Sequence, residues 1–337
     1  MTDNKVVFVG VDVGGTNIKV GVLDEQGQVL AEVQGPTKVE EGPEAGISKM
    51  CALAEQALQQ ASLSMDQVAA VGLATPGTMD IPAGMLLEPA NLPGWWNFPI
   101  RDKLAEKIGK PTVLQNDANA AAYGEYWAGA AKDAGSLVMC TLGTGIGCGI
   151  IVNDMVIEGA HSHGGECGHI IIEMDNGRLC DTGQYGTLEA YAGGKSLVRR
   201  CREELQQTGQ ESVLNSWLEE GKELTPYLIF QAAENGDTFA EGLIMEVARC
   251  MGVGTTTLLH TIDPDMVLFG GAMTFGRNET ETGRKFINRV RQEVKMRAFP
   301  VPAEKTVIDY ASLGNKAGFI GAAGCARQFY LKQGQKE

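Results

Sequence analysis

Positive charge is scarce in this sequence. Lys and Arg number 28 against 42 Asp and Glu, for a net charge of −14, and no stripe of basic residues stands out along the chain. Such a balance repels nucleic acid and anionic membrane, so neither is expected as a partner. Any anion site must then rest on backbone N–H groups, helix N-termini and a metal ion rather than on a bulk positive field. Long apolar runs are also lacking: none reaches the roughly 18 residues that a bilayer span needs. Met1-Thr2-Asp3-Asn4-Lys5 leads straight into an apolar stretch without the layout of a signal peptide. Aromatic residues are few, at 6%. Cysteine lacks a pattern: the eight residues at 51, 140, 148, 167, 180, 201, 250 and 325 are scattered, mostly in apolar runs. The chain is too long to need disulfide staples, so they are expected reduced and mostly buried, in a cytoplasmic protein.

What is abundant is glycine, 44 residues of 337. Without low-complexity repeats, that composition signals many tight turns between regular elements, and the length favours two domains. Val6 to Val11 is a nearly continuous apolar run, as a sheet-centre strand would be. Gly14-Gly15 breaks it, Ile18 to Leu23 resumes, Asp24 to Gly27 turns, and Val29 to Val33 makes a third strand. A helix follows from Pro43 to Ala61, then a strand from Val68 to Ala74 ending at Thr75-Pro76-Gly77. Beyond an irregular segment come a short helix at Ile100 to Ile108, a strand at Pro111 to Leu114 and a helix from Ala118 to Ala128.

The pattern then recurs. Ser136 to Leu142, Gly143-Thr144-Gly145, Ile146 to Val152, Asn153-Asp154 and Met155 to Glu158 repeat the order strand, Gly/Thr turn, strand, acidic turn, strand. This internal duplication implies two similar α/β domains facing each other across a cleft, each with one phosphate-binding hairpin. Residues 190–260 read as mainly helical, Met266 to Phe269 and Thr306 to Ile308 as strands, and Asn315 to Tyr330 as a closing helix.

Six segments carry chemistry. In Asp12-Val13-Gly14-Gly15-Thr16-Asn17-Ile18-Lys19, two glycines and a threonine let backbone N–H groups approach phosphate oxygens, and Asp12 is placed to hold Mg²⁺. The glycines lead into a strand, so this is neither a Walker loop nor a dinucleotide fingerprint. Leu142 to Gly147 is the equivalent turn of the second half, with Thr144 and Gly145 at its bend. In Gln115-Asn116-Asp117-Ala118-Asn119, Asp117 stands where strand becomes helix. Capping alone selects Asp there, but a carboxylate at a strand's C-terminal edge also suits a general base. Asn116 beside it suits sugar hydroxyls. Glu158 to His169 gathers three of the four histidines; Glu166 and His169 can bond adjacent hydroxyls, or His169 can bind metal. The apolar run Ile170 to Ile172 reads as a strand directly after it. Cys180 to Tyr191 is a turn and then a helix with Glu189 in its first turn, and Leu268 to Ala272 is a strand ending in Gly270-Gly271, room enough for a flat ring or a plain turn.

Together, Asp12 to Lys19, Thr75-Pro76-Gly77, Asn116 to Asn119, Gly143 to Gly147, Gly165 to His169 and Leu188 to Tyr191 resemble the ROK family of the actin/hexokinase/Hsp70 superfamily, from Val6 to about Arg327. Asn91-Leu92-Pro93-Gly94-Trp95 is similar to its glucokinase branch. The resemblance implies an α/β fold of two duplicated actin-like (ribonuclease H-like) domains flanking a cleft: 1–117 with 314–337, and 118–313. It implies an ATP-dependent kinase acting on the 6-hydroxyl of glucose or a close analogue, with Asp117 as base. Gly77, Asn91, Asn116, Glu166, His169 and Glu189 would then hold the sugar. Asp12, Gly14, Gly15, Thr16, Lys19, Thr144 and Gly145 would face Mg·ATP, and Gly270, Gly271 and Gly314 would border the adenosine. It also implies a homodimer. Fructose, mannose, N-acetylmannosamine, N-acetylglucosamine or allose are alternative acceptors, and polyphosphate is an alternative donor that would want a basic groove. The family also holds sugar-responsive regulators, with a DNA-binding domain ahead of the glycine motif, where only about ten residues stand here. One departure stands out. The family's structural zinc takes the histidine matching His169 and three cysteines, whose counterparts are Cys180, Thr182 and Thr187. No structural zinc is expected, unless Cys167 or His163 rebuilds a site with His169 and Cys180.

Overall fold

The computed structural model describes residues 6–208 and 211–334; the Met1-to-Lys5 segment considered above lies outside them. The opening apolar run forms β1 (Val7–Val13), and the glycine turn folds it back as β2 (Asn17–Asp24) and β3 (Val29–Pro36). After the helix Pro43–Gln60 come β4 (Val68–Thr75), a hairpin of two short strands, β5 (Met79–Asp80) and β6 (Met85–Leu86), and β7 (Thr112–Asn116). The sheet runs β3-β2-β1-β4-β7, antiparallel among the first three and parallel from β1 through β4 to β7.

The second sheet repeats this plan. It contains β8 (Ser136–Leu142), β9 (Ile146–Val152), β10 (Met155–Val156), β11 (Met266–Gly270) and β12 (Val307–Tyr310), in the order β10-β9-β8-β11-β12. β9 and β10 are antiparallel, while β8, β11 and β12 run parallel. The fold is therefore α/β and duplicated.

The chain divides into two compact units, Met1–Ala134 with Gly149–Gly165 and Ser312–Glu337, and Gly135–Cys148 with Glu166–Ala311, one limit falling within β9. This differs from a break after Asp117, because the helix Asp117–Ala128 packs on the closing helix Ala317–Gly334 and stays with the first unit. Glycine explains how closely. A methyl at Gly321 would collide with the Ala120 carbonyl, and methyls at Gly10 of β1 and Gly72 of β4 would collide with the Phe319 and Ala322 carbonyls. The glycine count thus reflects backbone-to-backbone packing as well as turns. On the sheet's other face, Val9, Val11, Val20, Val22 and Leu73 pack with Met50, Leu53 and Trp95, all buried. Each such large side chain contributes roughly 1.5–3 kcal/mol by leaving water.

In the second unit the helices Thr238–Ile262 and Glu281–Arg297 pack together, and Phe269 of β11 meets Phe286 edge-on at 6.4 Å. Ile170 to Ile172 is not a strand. Only Ile171 makes a single bridge, to Thr187, and it is 57% exposed, because hydrogen bonds from Ile172 and Glu173 to Gly186 fold the segment into a loop. Among the described residues no helix is long and apolar enough to cross a membrane.

Candidate active site

In the first unit the glycine turn closes through Gly14 N–H to Asn17 O at 2.9 Å, and the Thr37 hydroxyl donates to Gly14 O at 2.6 Å. Gly15, Thr16 and Asn17 are exposed. Asn91 lies against this turn, since a Cβ on Gly15 would come within 2.8 Å of Asn91 O. Gly77, at φ +90°, packs on Pro89, which precedes Asn91 by two residues. Asp12 lies against Gly318 in the first turn of the closing helix, and Lys19, its register partner across β1–β2, donates to Asn315 O at 3.0 Å. Burial pushes the Asp12 carboxyl up from the usual range, and the Lys19 ammonium partly opposes it. Gly314, at φ +59°, opens the short turn that holds Asn315.

Asn116 ends β7 in extended conformation and caps the next helix: its Oδ1 accepts from Ala118 N at 2.9 Å and Asn119 N at 3.3 Å. Asp117 is the first helical residue, so the cap that could have explained Asp117 belongs to its neighbour. Asp117 Oδ1 accepts the Ala118 N–H at 2.8 Å, which orients the carboxylate at the positive end of the helix. Gln115 supports both. Its Oε1 accepts from Asn116 N at 2.8 Å and Asn119 Nδ2 at 3.1 Å, while its Nε2 donates to Glu158 at 2.7 Å. Neither Gln115 nor Glu158 was expected in this role, which no local pattern signals.

In the second unit Gly143 N–H donates to Gly145 O at 3.0 Å, and the carbonyls of Gly143 and Thr144 accept from Gly194 N at 3.0 Å and Lys195 N at 3.1 Å. The helix Gly194–Thr208 thus presents its N-terminus to this turn. Among the described residues, the Thr144 and Gly145 N–H groups take no protein acceptor. Gly271, at φ +88°, packs on Leu142, where a methyl would collide, and Met273 N–H donates to Leu142 O at 3.0 Å. Gly270 ends β11 beside it.

An apolar cavity of about 680 Å³ opens beside this turn, lined by Thr144, Leu224, Tyr227, Phe230, Met273 and Phe275 with Lys195, Arg199 and Arg202 at its edge. That volume and apolar lining suit a flat heterocycle with a polar tail. The three cations recur every three to four residues on one helix face, so positive charge is concentrated beside this turn. The negative total hid it. Lys195 also pairs with Asp181 at 2.9 Å, which holds that carboxyl below its usual range.

Glu166 is exposed and heads the short turn Cys167–His169, whose His169 N–H returns to Glu166 O at 3.0 Å. Glu189 follows the Thr187 cap of Leu188–Ala192, and both its carboxylate oxygens have protein donors: Ile146 N at 2.7 Å and the Cys180 thiol at 3.2 Å.

Two five-stranded sheets of one plan, each opening on a glycine hairpin, define the actin-like class of α/β proteins. Within that class the chain belongs to the ROK family, whose profile matches residues 8–329. A glucokinase of Halalkalibacterium halodurans is 30% identical over 95% of either chain. The solved ROK hexokinase of Thermus thermophilus is 33% identical with a TM-score of 0.81, covering 98% of this chain and 100% of its own. A ROK family glucokinase from Streptomyces griseus, solved with glucose and AMPPNP, is 32% identical with a TM-score of 0.75, covering 96% and 99%. Relatives also include proteins named xylose repressors.

The family's structural zinc does not fit these residues. Thr187 Oγ1 is occupied as a helix cap, the Cys180 thiol is turned to Glu189, and His163 Nδ1 faces His161 O at 2.6 Å. The Cys148 thiol lies between those of Cys140 and Cys167, whose hydrogen bonds, with burial, push it up and keep it a thiol. Among the described residues no group of three or more His, Cys, Asp or Glu is placed to hold a metal ion, and His169 Nδ1 is buried without a hydrogen-bond partner.

Proposed function

We propose that this chain is an ATP-dependent sugar kinase that phosphorylates the 6-hydroxyl of glucose or a close analogue, with Asp117 as the general base. The observation that carries the assignment is the division of labour at the β7 terminus. Asn116 caps the helix, so Asp117 is held at the mouth of a strand end without being needed for capping. There it can accept the proton of an attacking hydroxyl late in transfer, when the phosphoryl group is already largely loose. Asn116 keeps its Nδ2 for a sugar hydroxyl while its Oδ1 serves the helix. Gly77, Asn91, Glu166, His169 and Glu189 supply the remaining sugar contacts.

On the nucleotide side, the Thr144 and Gly145 N–H groups and the Gly14-Gly15-Thr16 turn bind phosphate oxygens, and the aromatic cavity beside Thr144, which reaches Ala272 next to Gly271, takes the adenine. Gly270 and Gly314 border the adenosine. Asp12 would hold Mg²⁺ while Lys19 faces the nucleotide, and a dication there would offset the cost of a buried carboxylate. When bound, Mg²⁺ neutralises charge on the β- and γ-oxygens. Exclusion of water on closure then favours the hydroxyl over hydrolysis. All eight cysteines are free, which agrees with a cytoplasmic setting. A homodimer follows from the family resemblance.

A panel of glucose, fructose, mannose, allose and the N-acetylhexosamines against ATP, GTP and polyphosphate, read by coupled ADP release or sugar-phosphate formation, tests the assignment. Glucose with ATP is expected to give the highest kcat/KM. Sugar binding without any transfer would instead favour a regulator.

A further inference from the structure

Glu189 also braces the phosphate turn. Its Oε2 accepts Ile146 N–H at 2.7 Å, and its Oε1 accepts the Cys180 thiol at 3.2 Å. Ile146 N–H and Gly145 C=O are two edges of one peptide plane, and the Gly145 oxygen accepts Gly143 N–H at 3.0 Å. That plane is therefore gripped from both sides. The preceding plane carries the Gly145 N–H, and its Thr144 carbonyl accepts Lys195 N–H at 3.1 Å, so the planes on both sides of Gly145 are held and together aim that N–H. The approach is close: a methyl on Gly145 would push Glu189 Oε2 off the Ile146 N–H. A side chain at Gly193, which follows this helix, would press on Glu189 as well, with 3.1 Å to its Cγ.

We infer that Glu189 is a positioning residue for the nucleotide: it holds the Gly143-Thr144-Gly145 turn in its phosphate-binding shape, and Cys180 orients the carboxylate for this task. The inference rests on the kinase assignment for the identity of the ligand, a nucleoside triphosphate. The Cys180 thiol ties the loop Cys180 to Gln184 to the turn through a single carboxylate. That loop is closed on itself by Cys180 N to Gln184 O at 2.8 Å and Gly183 N to Cys180 O at 2.9 Å. Asp181, the next residue, grips Lys195 at 2.9 Å, and the Lys195 N–H caps Thr144 O. Two neighbouring residues thus reach the same turn by separate routes. A purely sugar-binding Glu189 would not account for the glycine at 145 or for a thiol donor on the second oxygen.

The test is equilibrium binding of Mg·AMPPNP without sugar to wild type, Glu189→Gln, Cys180→Ala and Cys180→Ser, alongside KM values for ATP and glucose. Replacing a charge-assisted bond by a neutral one is expected to weaken AMPPNP about tenfold in E189Q. C180A is expected to weaken it about threefold, and C180S, which keeps a donor, to stay within about twofold of wild type. E189Q that raises only the KM for glucose, with AMPPNP affinity within about twofold of wild type, overturns the inference. If E189Q does not fold, C180A against C180S decides alone: equal AMPPNP affinities overturn it. A wild type that binds AMPPNP but releases no ADP with any hexose sinks the kinase assignment instead, and the binding arm still reads the turn.

Discussion

Asn116 carries two tasks that a pair of substitutions separates. Its Oδ1 accepts two helix N–H groups, at 2.9 and 3.3 Å, and its Nδ2 is assigned to the sugar. Asn116→Ala removes both. Loss of an N-cap costs about 1 kcal/mol, within a range of about 0.5–2. For a domain of this size that is a fall in Tm of roughly 2–4 °C. Asn116→Ser restores a capping oxygen of nearly equal quality but has no amide, so it is expected to keep Tm within about 1 °C of wild type. Both variants lose one hydrogen bond to substrate, worth about 1 kcal/mol, and are expected to raise the KM for glucose about fivefold. Only the Ala variant also loosens the first turn that carries Asp117, so its kcat falls further than that of the Ser variant. Thermal unfolding followed by circular dichroism, together with steady-state kinetics, reads both effects. A Ser variant as unstable as the Ala variant, or an Ala variant with unchanged Tm, would refute the capping role of Asn116.

Asp12→Asn has a signed pH dependence. The folded-state pKa of Asp12 is raised, chiefly by burial, so its contribution to stability is present below the ordinary carboxylate range and is lost as pH rises through the folded value. At pH 7.5 in Mg²⁺-free buffer the Asn variant should therefore melt above wild type, with the gap closing as pH falls toward about 4, while turnover with Mg·ATP is lost. A variant that melts below wild type at pH 7.5 contradicts a cost of burial. Metal analysis of protein purified without chelator should find zinc well below one equivalent per chain, and treatment with a zinc chelator should leave Tm unchanged. A stoichiometric, chelator-sensitive zinc would overturn the mismatch seen at Cys180, Thr182 and Thr187.

The strands and both glycine turns were legible because continuous apolar runs broken by glycine allow few other conformations. The repeated order of three elements exposed the duplication that the two sheets display. The helix cap was not legible. Asn116 and Asp117 are equally good caps in composition, and only the extended backbone of Asn116, at φ −66° and ψ 145°, assigns the role. Ile170 to Ile172 misled because three apolar residues suit a strand, whereas hydrogen bonds to Gly186 decide the path. The grip of Glu189 on Ile146 joins residues 43 apart in sequence, a tertiary contact with no local signature. The cationic edge formed by Lys195, Arg199 and Arg202 was visible as helical spacing but was masked by a total charge of −14. Gly10 and Gly72 pass for turn or filler residues until the closing helix is seen lying on them.

The central claim is that Asp117 takes the proton of a sugar hydroxyl during phosphoryl transfer. Asp117→Asn keeps the size of the side chain and an oxygen for the Ala118 N–H while removing the base. Glucose binding by calorimetry and single-turnover phosphorylation with ATP should be measured on the same preparation. Glucose affinity within about threefold of wild type, with transfer slowed at least about a hundredfold, is the expected outcome for loss of a general base. Transfer within about tenfold of the wild-type rate would contradict it.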